Sequence, residues 1–231
     1  MKKKIKDTRG WNPFVGCRFD CAYCKASYKK LVEWNGRCLH CQQCQTYEPH
    51  YHPERLGRLS SERVIFVAEN GDISFCDPAF TRKMIDVMKE DKKEDRVFIL
   101  QSKNPAYFAD ILPLPQNTVL MTTIETNRDY RVSKAPLTSQ RYHDFLQLDW
   151  HRKAVVMEPV LKFDLPVILD WATELQPVAI FIGFESKRKC SLEEPTTLQV
   201  QELHNELRNL GFMTYDKAEC KYRDVFNTKL G

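Results

Sequence analysis

Three thiols stand close together in Gly16-Cys-Arg-Phe-Asp-Cys-Ala-Tyr-Cys24, a C-x3-C-x2-C run. Thiolates at this spacing can wrap one iron–sulfur cube and leave its fourth iron without a protein ligand. An open coordination position is what metal catalysis requires, because a substrate or cofactor then binds the metal directly. Cys17, Cys21 and Cys24 are therefore read as metal ligands. Gly16 lets the backbone approach the cluster, and Trp11, in Trp11-Asn-Pro13, is placed to shield it from solvent. The competing reading is a structural zinc loop. Such loops usually pair C-x2-C elements and use four ligands, and here the fourth is missing locally.

A second run, Cys38-Leu-His-Cys-Gln-Gln-Cys44, is C-x2-C-x2-C and is followed by Glu48-Pro49. It matches the ferredoxin pattern C-x2-C-x2-C-x3-C-P except that Glu48 takes the place of the last cysteine. Cys38, Cys41 and Cys44 are read as ligands of either a second iron–sulfur cluster or a zinc knuckle of three cysteines and one histidine. The remaining ligand is drawn from Cys76, Cys190, Cys220, His40, His50 and His52. Tyr47 and Tyr51 lie among basic and proline residues and can stack a nucleic-acid strand, although aromatic loops more often pack on their own domain.

The C-x3-C-x2-C loop, with the aromatic Tyr23 before its last cysteine, resembles the radical S-adenosylmethionine superfamily. The chain is further similar to a phage-associated branch, the phage gene-product 37/68 family. The matching segments are Trp11-Asn-Pro-Phe-Val-Gly-Cys17, His52-Pro-Glu-Arg-Leu56, Ile65-Phe-Val-Ala-Glu-Asn-Gly-Asp-Ile73, Phe98-Ile-Leu-Gln-Ser-Lys103, Thr123-Ile-Glu-Thr-Asn127, Val156-Met-Glu-Pro-Val160 and Phe181-Ile-Gly-Phe-Glu-Ser186. They run in order along nearly the whole chain. Many members of that branch space the first two cysteines more widely, so this chain carries the spacing of the wider superfamily. The resemblance implies a [4Fe–4S] cluster, S-adenosylmethionine and an external electron donor. It also implies reductive cleavage to a 5′-deoxyadenosyl radical that takes hydrogen from a substrate. The phage association and the mildly basic chain point to a nucleotide or nucleic acid.

Polar residues fall at the C-terminal ends of successive strand candidates: Glu69, Asn70, Gly71 and Asp72, then Ser102 and Lys103, then Glu125, Glu158 and Glu185. Strand ends on one rim of a parallel barrel converge on a common site. By the resemblance, Glu69 to Asp72 lies where the superfamily contacts the methionine amino group, here as Glu-Asn-Gly-Asp in place of the usual Gly-Gly-Glu. Glu125 resembles a ribose ligand. Lys103 can pair with the methionine carboxylate, and Glu158 and Glu185 can face cofactor or substrate.

The elements that must position these groups are legible from periodicity. Arg63–Ala68, Arg96–Gln101, Thr118–Ile124, Ala154–Met157 and Val178–Gly183 are apolar on both alternations, as parallel strands covered on both faces are. Helical patterns cover Phe80–Lys89, Ser139–Leu148, Leu165–Leu175 and Thr197–Leu210, the last ended by Gly211. A further helix is expected over Lys25–Trp34. With a strand before Cys17, this alternation predicts an α/β fold, an open partial (β/α)6 barrel in one domain spanning residues 1–231. A Cys/His-rich insertion occupies residues 35–60. The tail from Met213 has the pattern of a last strand that brings Asp216 and Lys217 to the same rim.

The 231 residues carry 42% hydrophobic and 29% charged residues and a net charge of +4, the surface of an ordinary globular chain that permits a polyanionic partner without demanding one. The first residues lack the apolar stretch of a signal peptide, and no run approaches a membrane span. A cytoplasmic protein follows, whose 9 cysteines serve metal more readily than disulfides. Trp34, Trp150 and Trp171 read as packing residues; His143, His151 and His204 read as surface residues. Cys190 and Cys220 read as inert thiols, and Lys187-Arg-Lys189 as a solvated loop. The rival to an enzyme is a non-catalytic zinc-binding module that contacts nucleic acid or protein.

Overall fold

The computed structural model describes residues 9–24, 41–185, 193–217 and 222–226. The expected helix over Lys25–Trp34 lies outside the described residues, as do Cys38, His40, Lys187–Lys189, Cys190 and Cys220. Nine strands are described: β1 Arg9–Trp11, β2 Phe14–Val15, β3 His50–Tyr51, β4 Val64–Val67, β5 Val97–Ser102, β6 Thr118–Thr123, β7 Lys153–Met157, β8 Ala179–Ile182 and β9 Thr214–Asp216. The helices are α1 Gln42–Thr46, α2 Pro78–Glu90, α3 Tyr107–Ile111, α4 Thr138–Gln147, α5 Leu165–Leu175, α6 Thr197–Asn209 and α7 Tyr222–Val225. No helix among the described residues is long and apolar enough to cross a membrane.

Seven strands form one parallel sheet in the order β1-β4-β5-β6-β7-β8-β9. Each strand after β4 pairs with its predecessor, so every crossover advances the sheet in one direction. Crossovers of one hand then put the connecting helices on one face. The core shows this division. Ile65, Val67, Phe98, Leu100, Leu120, Val155, Met157, Ile180 and Ile182 pack with buried residues of α2 to α6. The intervening residues Val64, Val97, Ile99, Val119, Met121, Ala154, Val156, Ala179 and Phe181 form a second cluster, closed by Phe226 and flanked by Tyr222 and Val225 of α7.

Local sequence explains the helix ends. Asp77 accepts from Ala79 N–H at 2.8 Å ahead of Pro78, and α6 opens with a capping box between Thr196 and Gln199. Gly211 takes a φ of +90° just past α6, the conformation glycine adopts most cheaply. The sheet has one more parallel strand than the six units expected. The addition, β9, is the short last strand that the pattern of the tail from Met213 indicates, three residues that end at Asp216.

Candidate active site

The pleat determines which side chains can meet above the second face of the sheet. Side chains alternate along a strand. The series Val97 and Ile99 therefore continues to Gln101 and Lys103; Val119 and Met121 to Thr123 and Glu125; Ala154 and Val156 to Glu158; Ala179 and Phe181 to Gly183 and Glu185. The contacts follow that parity. Gln101 Nε2 donates to Thr123 Oγ1 at 3.0 Å, and Lys103 Nζ lies 2.9 Å from Glu125 Oε1. A Cβ at Gly183 would touch Lys217 Cβ at 2.8 Å and Glu158 Cγ at 3.6 Å, so these two side chains flank it.

Glu125 is the hub, 1% exposed. Tyr23 O–H donates to its Oε1, Lys103 Nζ donates to the same oxygen, and Arg141 reaches Oε2 at 2.8 Å from α4. Burial works against this carboxylate, but the Lys103 and Arg141 charges outweigh it and hold the group down to about 2. Tyr23 shifts the opposite way: burial and the Glu125 charge keep its phenol protonated. Lys103 also lies 5.2 Å from the Tyr23 ring centroid. The third residue of the cysteine loop's C-x2-C segment is thereby tied to the end of β6.

The loop itself is held by backbone. Gly16 N–H donates to Asn70 C=O at 3.0 Å and Asp72 N–H to Gly16 C=O at 3.1 Å, a short parallel bridge between Gly16 and Gly71. Cys17 N–H donates to Tyr47 C=O at 3.2 Å, Ala22 N–H to Val132 C=O at 2.9 Å, and Lys134 N–H to Phe19 C=O at 2.6 Å. Asp20 and Ala68 have φ of 53°, left-handed backbone that costs energy outside glycine and clusters at functional sites. Gly16 has a φ of +106°, and a Cβ there would fall 2.3 Å from the Glu48 carbonyl oxygen. Gly16→Ala is expected to destabilise the protein by about 1–3 kcal/mol and to lower iron uptake, checked by urea midpoint and iron content.

Cys21 is buried, and Cys17 and Cys24 are half-buried. Phe19 N–H lies 3.4 Å from Cys17 Sγ. Burial pushes the Cys17 thiol up strongly, and the charges of Asp72, Cys21 and Cys24 add to it. Such a site keeps a neutral thiol by itself, and a bound metal would supply the positive charge that a thiolate needs there. Three thiols on one short loop, one receiving an N–H donor, are a donor set that would suit an iron–sulfur cluster.

The other expected residues divide by how committed they are. Asp72 accepts from Ser74 N–H at 3.1 Å, Ser74 Oγ at 2.8 Å, Ser102 Oγ at 2.6 Å and Lys103 N–H at 2.8 Å, so it ties β5 to the loop after β4. Ser102 is buried within that network. The carboxylate of Glu69 lies against Gly10. The backbone of Glu185 donates to Glu194 at 2.9 Å. Glu158 differs: its half-buried carboxylate has no hydrogen-bond or ion-pair partner among the described residues. Burial raises its carboxyl, Lys217 and Lys103 oppose that, and Asp216 adds to it. Trp11 is buried, with Nε1 donating to Arg55 C=O at 2.8 Å. Trp150 is buried, and Trp171 stacks on Tyr142 at 4.3 Å. His143 and His151 are exposed, whereas His204 is half-buried with Nδ1 2.8 Å from Thr214 Oγ1.

Arg141 was not among the sequence candidates. Its signal is an arginine in the stripe of Arg141, Phe145 and Leu148, at the i, i+4, i+7 spacing of a buried helix face. In the second cysteine run, Cys41 and Cys44 meet His50 and His52, with ligand atoms all within 4.8 Å of one another.

No family model and no curated protein matches the chain. Solved structures do, among them two of one enzyme. One is a tyrosine-to-phenylalanine variant of spore photoproduct lyase, with a TM-score of 0.58 at 11% identity over 90% of this chain and 76% of that one. The other is a cysteine-to-alanine variant of the same lyase with dinucleoside spore photoproduct, with a TM-score of 0.58 at 11% identity over 89% and 75%. At this identity the likeness speaks to architecture, and the chain shares the mostly parallel α/β fold of that lyase.

Proposed function

We propose that the chain is a radical S-adenosylmethionine enzyme acting on a nucleotide or nucleic-acid substrate. The observation that carries this reading is the tie between the C-x3-C-x2-C loop and the strand-end charges, made by Tyr23 to Glu125. When bound, a [4Fe–4S] cluster and S-adenosylmethionine, with an external reductant, supply the one-electron cleavage that yields a 5′-deoxyadenosyl radical.

The chain's residues bind, orient and exclude water. Cys17, Cys21 and Cys24 would hold the iron. Asp72 and Glu125 fix the loop and the rim, because their oxygens are already engaged. Lys103 would pair with a ligand carboxylate only by sharing its charge with Glu125. Glu158 is the acceptor for a ligand ammonium or ribose hydroxyl. The dinucleoside held by the second lyase structure and the net charge of +4 support the substrate class.

The test is direct. Dithionite-reduced protein with S-adenosylmethionine should release 5′-deoxyadenosine; methylthioadenosine alone would mean a different bond breaks and would contradict the reading. Glu158→Gln should weaken S-adenosylmethionine binding roughly tenfold or more, the loss of a hydrogen bond to a charged group. Stability should not fall with it. A carboxyl raised by burial contributes stability below its unfolded value and loses it as pH rises, so the amide at neutral pH is at least as stable as the carboxylate. Calorimetry and a thermal melt check the pair of outcomes.

A further inference from the structure

Cys44 Sγ lies 3.2 Å from both His50 Nε2 and His52 Nε2, and Cys41 Sγ lies 3.4 Å from His50 Nε2. The two Nε2 atoms are 2.9 Å apart. Cys44, His50 and His52 are buried, and Cys41 is half-buried. Around a tetrahedral zinc, with Zn–S about 2.3 Å and Zn–N about 2.0 Å, ligand atoms stand about 3.3–3.8 Å apart. Four of the six donor–donor distances come within a few tenths of an ångström of that spacing, and all six lie within 4.8 Å, as one ion requires.

Ring chemistry distinguishes an ion site from a hydrogen-bonded cluster. His50 Nδ1 lies 2.7 Å from the Glu48 carbonyl oxygen, and His52 Nδ1 lies 3.0 Å from Glu54 Oε1. Both partners accept, so each Nδ1 carries the hydrogen and each neutral ring turns a lone pair inward at Nε2. Two lone pairs facing each other at 2.9 Å repel. A cation between them makes ligands of all four donors. An outward Nδ1–H bond to a carbonyl or carboxylate is the arrangement that orients metal-bound histidine.

We infer that Cys41, Cys44, His50 and His52 hold a structural zinc ion and that this ion anchors the cysteine loop of residues 17–24. Two thiolates and two imidazoles form a closed tetrahedral set that suits zinc. The ligands bracket a segment lying along that loop: Tyr47 C=O receives Cys17 N–H, and Glu48 pairs with Arg18 at 2.9 Å. β2 pairs with β3, setting Val15 against His50, and His52 N–H donates to Pro13 C=O at 2.6 Å. The zinc site stands apart from the proposed function. Only the anchoring clause rests on it.

Anaerobically purified full-length protein should contain one zinc per chain besides iron. The variant with alanine at residues 17, 21 and 24 should lose iron yet keep that zinc, so failure of the cluster reading and failure of the zinc reading are separately visible. Cobalt in place of zinc should show the absorption of a tetrahedral site and a thiolate-to-cobalt charge-transfer band. Both should vanish in Cys44→Ala and His52→Ala and persist in His52→Cys, which conserves a ligand. Glu54→Ala alters an exposed side chain and should weaken zinc roughly tenfold against a competing chelator. Iron–sulfur absorption in the triple-alanine variant that disappears when Cys41 and Cys44 are also replaced would overturn the zinc assignment. So would the absence of bound metal, or full zinc retention in His52→Ala and Cys44→Ala. Zinc-depleted Glu54→Ala protein should take up less iron than the zinc-loaded form, and equal uptake would overturn the anchoring.

Discussion

Alanine at any one of Cys17, Cys21 and Cys24 is expected to lower 5′-deoxyadenosine release by at least about 10³-fold, roughly 4 kcal/mol in the barrier. The thiols share one short loop, and the Cys21 and Cys24 charges act on Cys17. A cube held at three corners cannot lose a corner and keep both its seat and its open iron. Iron and sulfide content should fall with activity, while zinc at Cys41, Cys44, His50 and His52 stays. The backbone of the loop is tied to Asn70, Asp72, Tyr47 and Val132, so the substitutions should leave far-ultraviolet dichroism intact. A variant that keeps four irons and full activity would refute the ligand assignment.

The second large effect is on stability. Glu125→Gln removes the charge that Lys103 meets at 2.9 Å and Arg141 at 2.8 Å, in a place 1% exposed for Glu125 and 2% for Arg141. Breaking a buried pair strands the partner's charge, and the expected loss is about 3–5 kcal/mol at neutral pH. The linkage has a definite sign. Burial alone would raise the Glu125 carboxyl, but Lys103 and Arg141 hold it at about 2, below the ordinary 4.5. Its contribution, about 3 kcal/mol from the shift, is present above pH 4.5 and is lost as pH falls toward 2. Urea midpoints should therefore show a wide gap between wild type and Glu125→Gln near neutrality, narrowing across that acid window. A gap that is small or independent of pH would contradict the buried network.

Much of this arrangement was legible in the residues. Strand runs apolar on both alternations located β4 to β8 because parallel strands bury both faces. Their place at the C-terminal ends of strands grouped Lys103, Glu125 and Glu158. The match of Leu165–Leu175 with α5 reflects strong helical spacing between clear boundaries. Short elements were harder to see: α3, five residues long, offers too few positions for a period to show, whereas the three residues of β9 fall in the tail from Met213 that reads as a last strand. Arg141 escaped notice because its value lies in tertiary contact, reaching Glu125 from a helix 16 positions later. His50 and His52 stood among several possible donors. Only their strand geometry, alternating with Tyr51 on β3 and just beyond it, turns both rings toward Cys44. Asp72 shows the reverse case: it was read as a ligand group, and its oxygens are engaged by four donors of the protein itself.

Electron paramagnetic resonance of the anaerobically reduced protein, recorded with and without S-adenosylmethionine, tests the open iron most directly. The account predicts the signal of a reduced four-iron cluster whose g values move when S-adenosylmethionine is added, and no such signal in Cys24→Ala. A four-iron signal that S-adenosylmethionine leaves unmoved, or its persistence in Cys24→Ala, would contradict it.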